Sequence, residues 1–168
     1  MLWPMSTSLW QLPPFDTTTW HPRLSALWQC WQRLPHRDGI VPSRADFDPL
    51  MVPHSLSSLW LLDVEREPFR LRYRLAGTNI VRALGGEPTG RYVDEVRPTT
   101  WRSPGVYDRL LQAVEDGVPS FAATAPRMNI EAPWTIVESL VLPFASDHVH
   151  VDLVMGASVF HRSDGRVL

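Results

Sequence analysis

A chain of 168 residues and 19.2 kDa has room for one domain with an extension and buries enough surface to need no disulfide or metal staple. With 44% apolar and 20% charged residues it has the balance of a soluble globular protein rather than a disordered one, and a net charge of -2 excludes a broad nucleic-acid footprint. All 16 basic residues are arginine, which suits bidentate pairing with carboxylates, and the single cysteine, Cys30, excludes an internal disulfide.

Residues 1 to 19 are rich in Pro, Thr and Trp without helical or strand period, and read as an extension. No signal peptide and no apolar run of about 18 residues is present, so the expected location is cytoplasmic, away from membranes. From Pro22 the spacing predicts a helix. Leu24, Leu27, Trp28, Trp31 and Leu34 share one stripe, and Pro35 stops it. Trp28 and Trp31 either pack on their own domain or form a dimer seam. Cys30 lies on this helix and reads as a packing thiol.

Pro42 to Pro53 reads as a linker with a helical turn, capped by Ser43 or Asp46. Ser58 to Val64 is a predicted strand, joined by a charged turn at Glu65 to Pro68 to a second one. In that second strand Phe69, Leu71, Tyr73 and Leu75 alternate with Arg70, Arg72 and Arg74, so one face is apolar and the other carries three guanidinium groups. The arginines either pair with acidic residues such as Glu138 or present a docking face to an acidic partner. After Gly77 the period becomes helical through Ile80, Val81 and Leu84, until Gly85, Gly86 and Gly90 break it.

The clearest predicted helix spans Pro104 to Asp116, with Ser103 as N-cap, a stripe of Val106, Tyr107, Leu110, Leu111 and Val114, and Gly117 as its stop. Three strands follow, over Ser120 to Ala125, Trp134 to Leu142 and Val149 to Phe160, the last placing Val149, Val151, Leu153, Met155, Ala157 and Val159 on one face. Two strands, a broken helical middle and three more strands argue for an α+β fold, with a five-stranded antiparallel sheet covered on one side by helices and an N-terminal helix added. The expected boundaries are an extension and helix over 1–35, a core over 36–162 and a tail over 163–168.

The segment FRLRYRLAGTNIVRALGGEPTG, with Arg74, Ala76, Gly77, Thr78, Gly86, Glu87 and Gly90, resembles the marker segment of a stand-alone bacterial subfamily of PAS domains. PSRADFD at Pro42 to Asp48 and ESLVLPFASD at Glu138 to Asp147 are similar to the same subfamily's entry segment and penultimate strand. The resemblance implies strand order 2-1-5-4-3 and a non-catalytic sensory or protein-interaction role. Its output would pass to a protein partner or a second copy in a homodimer, and no output domain is recognisable in the sequence.

A small apolar ligand is expected between sheet and helices, near Leu71, Tyr73, Ile80, Leu84, Tyr107, Leu111 and Trp134, although the same residues suit a solid core. No cofactor is expected. Haem-binding PAS sensors carry an axial histidine on the long helix, and Pro104 to Asp116 has none. Flavin photosensors place a reactive cysteine against the pocket, and Cys30 lies outside the core. His148 and His150 are two ligands where a zinc site needs three or four, so no metal is expected. The competing readings are a small enzyme on a related cone-shaped α+β fold, with Glu138 and Asp63 as candidate acids, and a purely structural partner subunit.

Overall fold

The computed structural model describes residues 10–36, 41–103, 105–125 and 134–168. The elements in chain order are α1 (Pro22–Arg33), β1 (Leu59–Arg66), β2 (Phe69–Ala76), α2 (Thr78–Leu84), α3 (Val93–Val96), α4 (Tyr107–Asp116), β3 (Ser120–Thr124), β4 (Trp134–Phe144) and β5 (Leu153–Arg162). The five strands form one antiparallel sheet in the order β2-β1-β5-β4-β3, as the resemblance implies.

Strict alternation along the strands makes two apolar faces. Leu61, Leu140, Leu142, Met155 and Val159 point to the outer face, and α1 lies on it with Leu24, Leu27, Trp28, Cys30 and Trp31 buried against them. Trp28 and Trp31 are 7% and 6% exposed and stack on each other at 5.5 Å between ring centroids, and Trp31 Nε1 donates to the carbonyl of Pro143. The tryptophan stripe therefore belongs to the chain's own core, and the dimer seam expected of it is corrected: an aromatic pair this deeply buried has no face left to offer a second copy. Leu62, Leu71, Tyr73, Val141 and Val154 point to the inner face, towards α2, α3 and α4. Among the described residues no helix is long and apolar enough to cross a membrane.

The described part of the extension, residues 10–19, and the tail are integral parts of the same fold. Gln11 exchanges both backbone hydrogen bonds with Phe121 (2.7 and 3.0 Å), and Trp20 stacks on the Phe121 ring at 4.0 Å. At the other edge of the sheet Tyr73 bonds to Arg91 O and Gly90 to Tyr73 O, so the chain between α2 and α3 closes off β2. Leu168 returns to pair with Phe160 through two backbone bonds and is buried there, so the expected tail folds onto β5.

Three sequence expectations are displaced. First, β5 starts at Leu153 rather than Val149, because Asp147 holds a turn: its carboxylate accepts from the backbone N–H groups of Val149 and His150 and pairs with His150 Nδ1 at 2.7 Å. Val149 is exposed and Val151 joins the inner cluster, so the six residues expected on one face divide. Second, α4 starts at Tyr107, its N-terminal residue Val106 making no side-chain cap, while Ser103 contributes only a carbonyl to the Val106 N–H. Pro104, expected at the first turn, lies outside the described residues. Third, Leu75 leaves the apolar face. Leu61 opposes Leu75 but Leu62 opposes Tyr73, so Arg74 is an extra residue in β2, and this bulge turns Leu75 outward, where it is 46% exposed.

Ser43 caps the short 3-10 turn Arg44–Asp46 as expected, but Asp46 lies within that turn. The following turn, Pro49–Met51, is capped by Asp48 instead, whose carboxylate accepts from Leu50 N–H at 2.9 Å.

Candidate functional site

Between the inner face of the sheet and the helical middle lies a cavity of about 130 Å³. Its floor comes from inward residues of β1, β2, β4 and β5, including Leu62, Tyr73, Val141 and Phe160. Its cover comes from Ile80 and Leu84 of α2, Val93 of α3, and Val106, Arg109 and Leu110 at the start of α4.

Two close approaches made possible by glycine shape the surroundings of this space. Gly77 joins β2 to α2 where the backbone passes over Leu56 and Ser57; a Cβ on Gly77 would sit 2.5 Å from both of their carbonyl oxygens, so only glycine lets α2 lie this close. Gly156 of β5 faces Trp60 of β1 directly, and the indole fills the volume that a side chain at 156 would occupy. The Trp60 ring is fixed there by its Nε1–H, which donates to Ser158 Oγ at 3.0 Å.

Of the seven residues expected to line the cavity, the structure brings together three, Tyr73, Ile80 and Leu84. Leu71 is packed in the inner core beside it. Tyr107 turns away to make edge contacts with Phe69 (5.9 Å) and Trp101 (5.1 Å). Leu111 is only half-buried, and Trp134 packs on Phe160 in a separate cluster. The face of α4 explains the difference. Its buried residues are Arg109, Leu110, Ala113 and Val114, so the helix is turned to admit Arg109 where the apolar stripe pointed to Leu111.

Arg109 is the residue the sequence reading missed. Its Nε donates to Ser120 Oγ (3.1 Å), Nη1 to Ser139 Oγ (2.7 Å), and Nη2 to the carbonyls of Ser120 (3.1 Å) and Ser139 (2.8 Å). These oxygens accept from four of the five N–H groups without supplying an opposite charge. Burial pulls the guanidinium pKa down to about 9, which still leaves a cation at neutral pH. The signal in the sequence was the pair of serines, Ser120 and Ser139, each at an inward position of an otherwise apolar strand.

Arg97, which follows α3, lines the same cavity; burial lowers its pKa too, and its Nε is sealed from solvent without a hydrogen-bond partner among the described residues. Tyr73 is pushed the opposite way, since burial favours its neutral phenol.

The three arginines of β2 are engaged elsewhere. Arg70 bonds to Asp94 (2.8 Å) and Glu95 (3.2 Å) and lies 3.5 Å over the Tyr92 ring, Arg74 pairs with Asp63 at 2.9 Å, and Arg72 approaches Glu65 at 3.8 Å. Their partners are thus neighbours on β1 and α3. The expected partner Glu138 instead accepts from the backbone N–H of His21 (2.9 Å) and pairs with His161 (2.7 Å) on the outer side, beyond the reach of β2.

Asp63 and Glu138, the candidate acids of an enzyme, both stand on the outer side, and no carboxylate, histidine or cysteine lines the cavity among the described residues. Cys30, buried on α1, is separated from the cavity by the sheet; burial raises its thiol pKa. His148 bonds to the Val41 carbonyl and His150 to Asp147, both in the turn before β5, and no three potential metal ligands cluster among the described residues.

A family model described as PAS domain matches residues 19–159, taking in α1, the first four strands and most of β5. No curated protein and no solved structure matches the chain.

Proposed function

The chain belongs to the PAS domain family, and from that premise we propose that it is a non-catalytic sensor whose small-molecule ligand occupies the cavity under α2 and α4. The observation that carries this reading is the cavity itself: about 130 Å³ of space held open in a core that is otherwise closely packed. An enzyme would need groups that take up and return protons, and the residues facing this space are apolar side chains, hydroxyls and guanidiniums. Neither haem nor a photoactive flavin enters this reading, because α4 carries no histidine and the thiol of Cys30 lies across the sheet from the cavity.

In this proposal the domain acts in the cytoplasm and reports on its ligand by contact with another protein or a second copy of itself. Ligand binding shifts the population between two arrangements of the helical cover over the sheet. With Trp28 and Trp31 committed to the core, the contact surface is a different one from the tryptophan stripe. Native mass spectrometry of freshly purified protein, followed by NMR with a library of small organic molecules, tests the reading. A co-purified compound, or shifts concentrated at Tyr73, Ile80 and Leu84, supports it. Bare protein whose cavity resonances do not respond to the library favours an interaction module with an idle core.

A further inference from the structure

Arg70, Arg72 and Arg74 each have a carboxylate within the fold. The two arginines at the cavity have none among the described residues. Arg109 contacts hydroxyl and carbonyl oxygens, which take up four of its five N–H groups and leave one proton on Nη1 without an acceptor among the described residues. Arg97 has a sealed Nε with no hydrogen-bond partner among the described residues. Neither makes an ion pair with any described residue. Two guanidiniums from different elements, after α3 and within α4, thus face one small apolar space that holds no anion among the described residues. Charges removed from water are costly unless paired, so this arrangement calls for a negative group from outside.

The size of the space bounds the rest of the ligand. An apolar cavity of about 150 Å³ holds one benzene molecule, and the volume here is about 130 Å³.

We propose that the cavity is a site for a small organic carboxylate, its apolar body no larger than about one benzene ring set among Tyr73, Ile80 and Leu84, and its charge against Arg97 and Arg109. The proposal rests on the ligand-binding reading above and sharpens it to a chemical class. A planar carboxylate accepts two parallel N–H bonds from a guanidinium, a geometry that neutral ligands of the same shape cannot match.

The test is calorimetric titration of the full chain with benzoate and with benzamide, its uncharged isostere. Benzoate is expected to bind at least about tenfold more tightly, the worth of one charge-assisted hydrogen bond. Arg97→Met is expected to bring benzoate down to the benzamide level. Arg109→Lys retains a charge but loses the bonds that hold that charge between Ser120 and Ser139, and is expected to weaken benzoate while leaving benzamide unchanged, with circular dichroism confirming that both variants are folded. Equal binding of the two probes, or an undiminished benzoate preference in folded Arg97→Met, overturns the anion site and leaves the cavity reading standing. Failure of both probes to bind the folded wild-type chain overturns the two together.

Discussion

Gly156 and Trp60 illustrate how one missing Cβ sets a local structure. The indole occupies the place of a side chain at position 156, so Gly156→Ala forces either the ring or β5 to move. Overpacking of this kind costs about 1–3 kcal/mol, and we expect Gly156→Ala to lower the unfolding free energy read from urea titration by the higher figure because the ring is also tied to Ser158. His21 carries a second residue-scale prediction. Its Nδ1 caps α1 by accepting from the Arg23 N–H, and burial, assisted by Arg23, lowers its pKa below the ordinary 6.5. As pH falls through about 6.5 the unfolded chain therefore takes up protons that the folded chain refuses, so the contribution of His21 is complete above that pH and declines below it. Urea midpoints at pH 7.5 and 5.5 should differ in that direction, and His21→Asn, which caps through an amide oxygen, should flatten the His21 share of the difference. Arg109 marks what pattern reading cannot see at this scale: hydrophobic periodicity assigns every arginine to solvent, and only the two serines facing it reverse that assignment.

Whole elements were more legible than their faces. The stripe of α1 follows directly from the spacing of Leu24, Leu27, Trp28 and Trp31, yet spacing does not say what the stripe packs on. The outer sheet face does, because Leu140, Leu142, Met155 and Val159 are fully buried beneath it. Each large apolar side chain of α1 contributes about 1.5–3 kcal/mol on burial, and four of them match the whole net stability of an ordinary domain, about 5–15 kcal/mol. Deletion of residues 1–35 is therefore expected to yield insoluble or unfolded protein rather than a clean monomer, as read by circular dichroism and sedimentation. The arginine face of β2 predicts the opposite scale of effect. Its pairs are largely exposed, and replacing Arg70, Arg72 and Arg74 together by Gln should lower the thermal midpoint by only a few degrees. The bulge at Arg74 explains why Leu75 escaped its expected face: a single inserted residue inverts the alternation, and nothing in an alternating sequence announces it.

At the scale of the molecule, the order of strands and helices carried the fold, because hairpins and a helical middle leave few ways to close an antiparallel sheet. The cavity was legible only in part. Tyr73, Ile80 and Leu84 follow from alternation and from helical spacing, whereas the place of Arg97 and the rotation of α4 depend on long-range contacts that no local window contains.

The pairing of Gln11 with Phe121 at one margin and of Gly90 and Arg91 with Tyr73 at the other has a consequence for how copies of this chain behave when crowded. Fibrillar stacking recruits a new strand onto an unsatisfied row of amides, and both rows are partly occupied by the chain's own irregular segments. Substituting Pro for Gln11 removes one of those bonds and uncovers the β3 margin. That variant is the one we expect to bind amyloid dyes on prolonged concentrated storage, under conditions in which the parent chain stays clear.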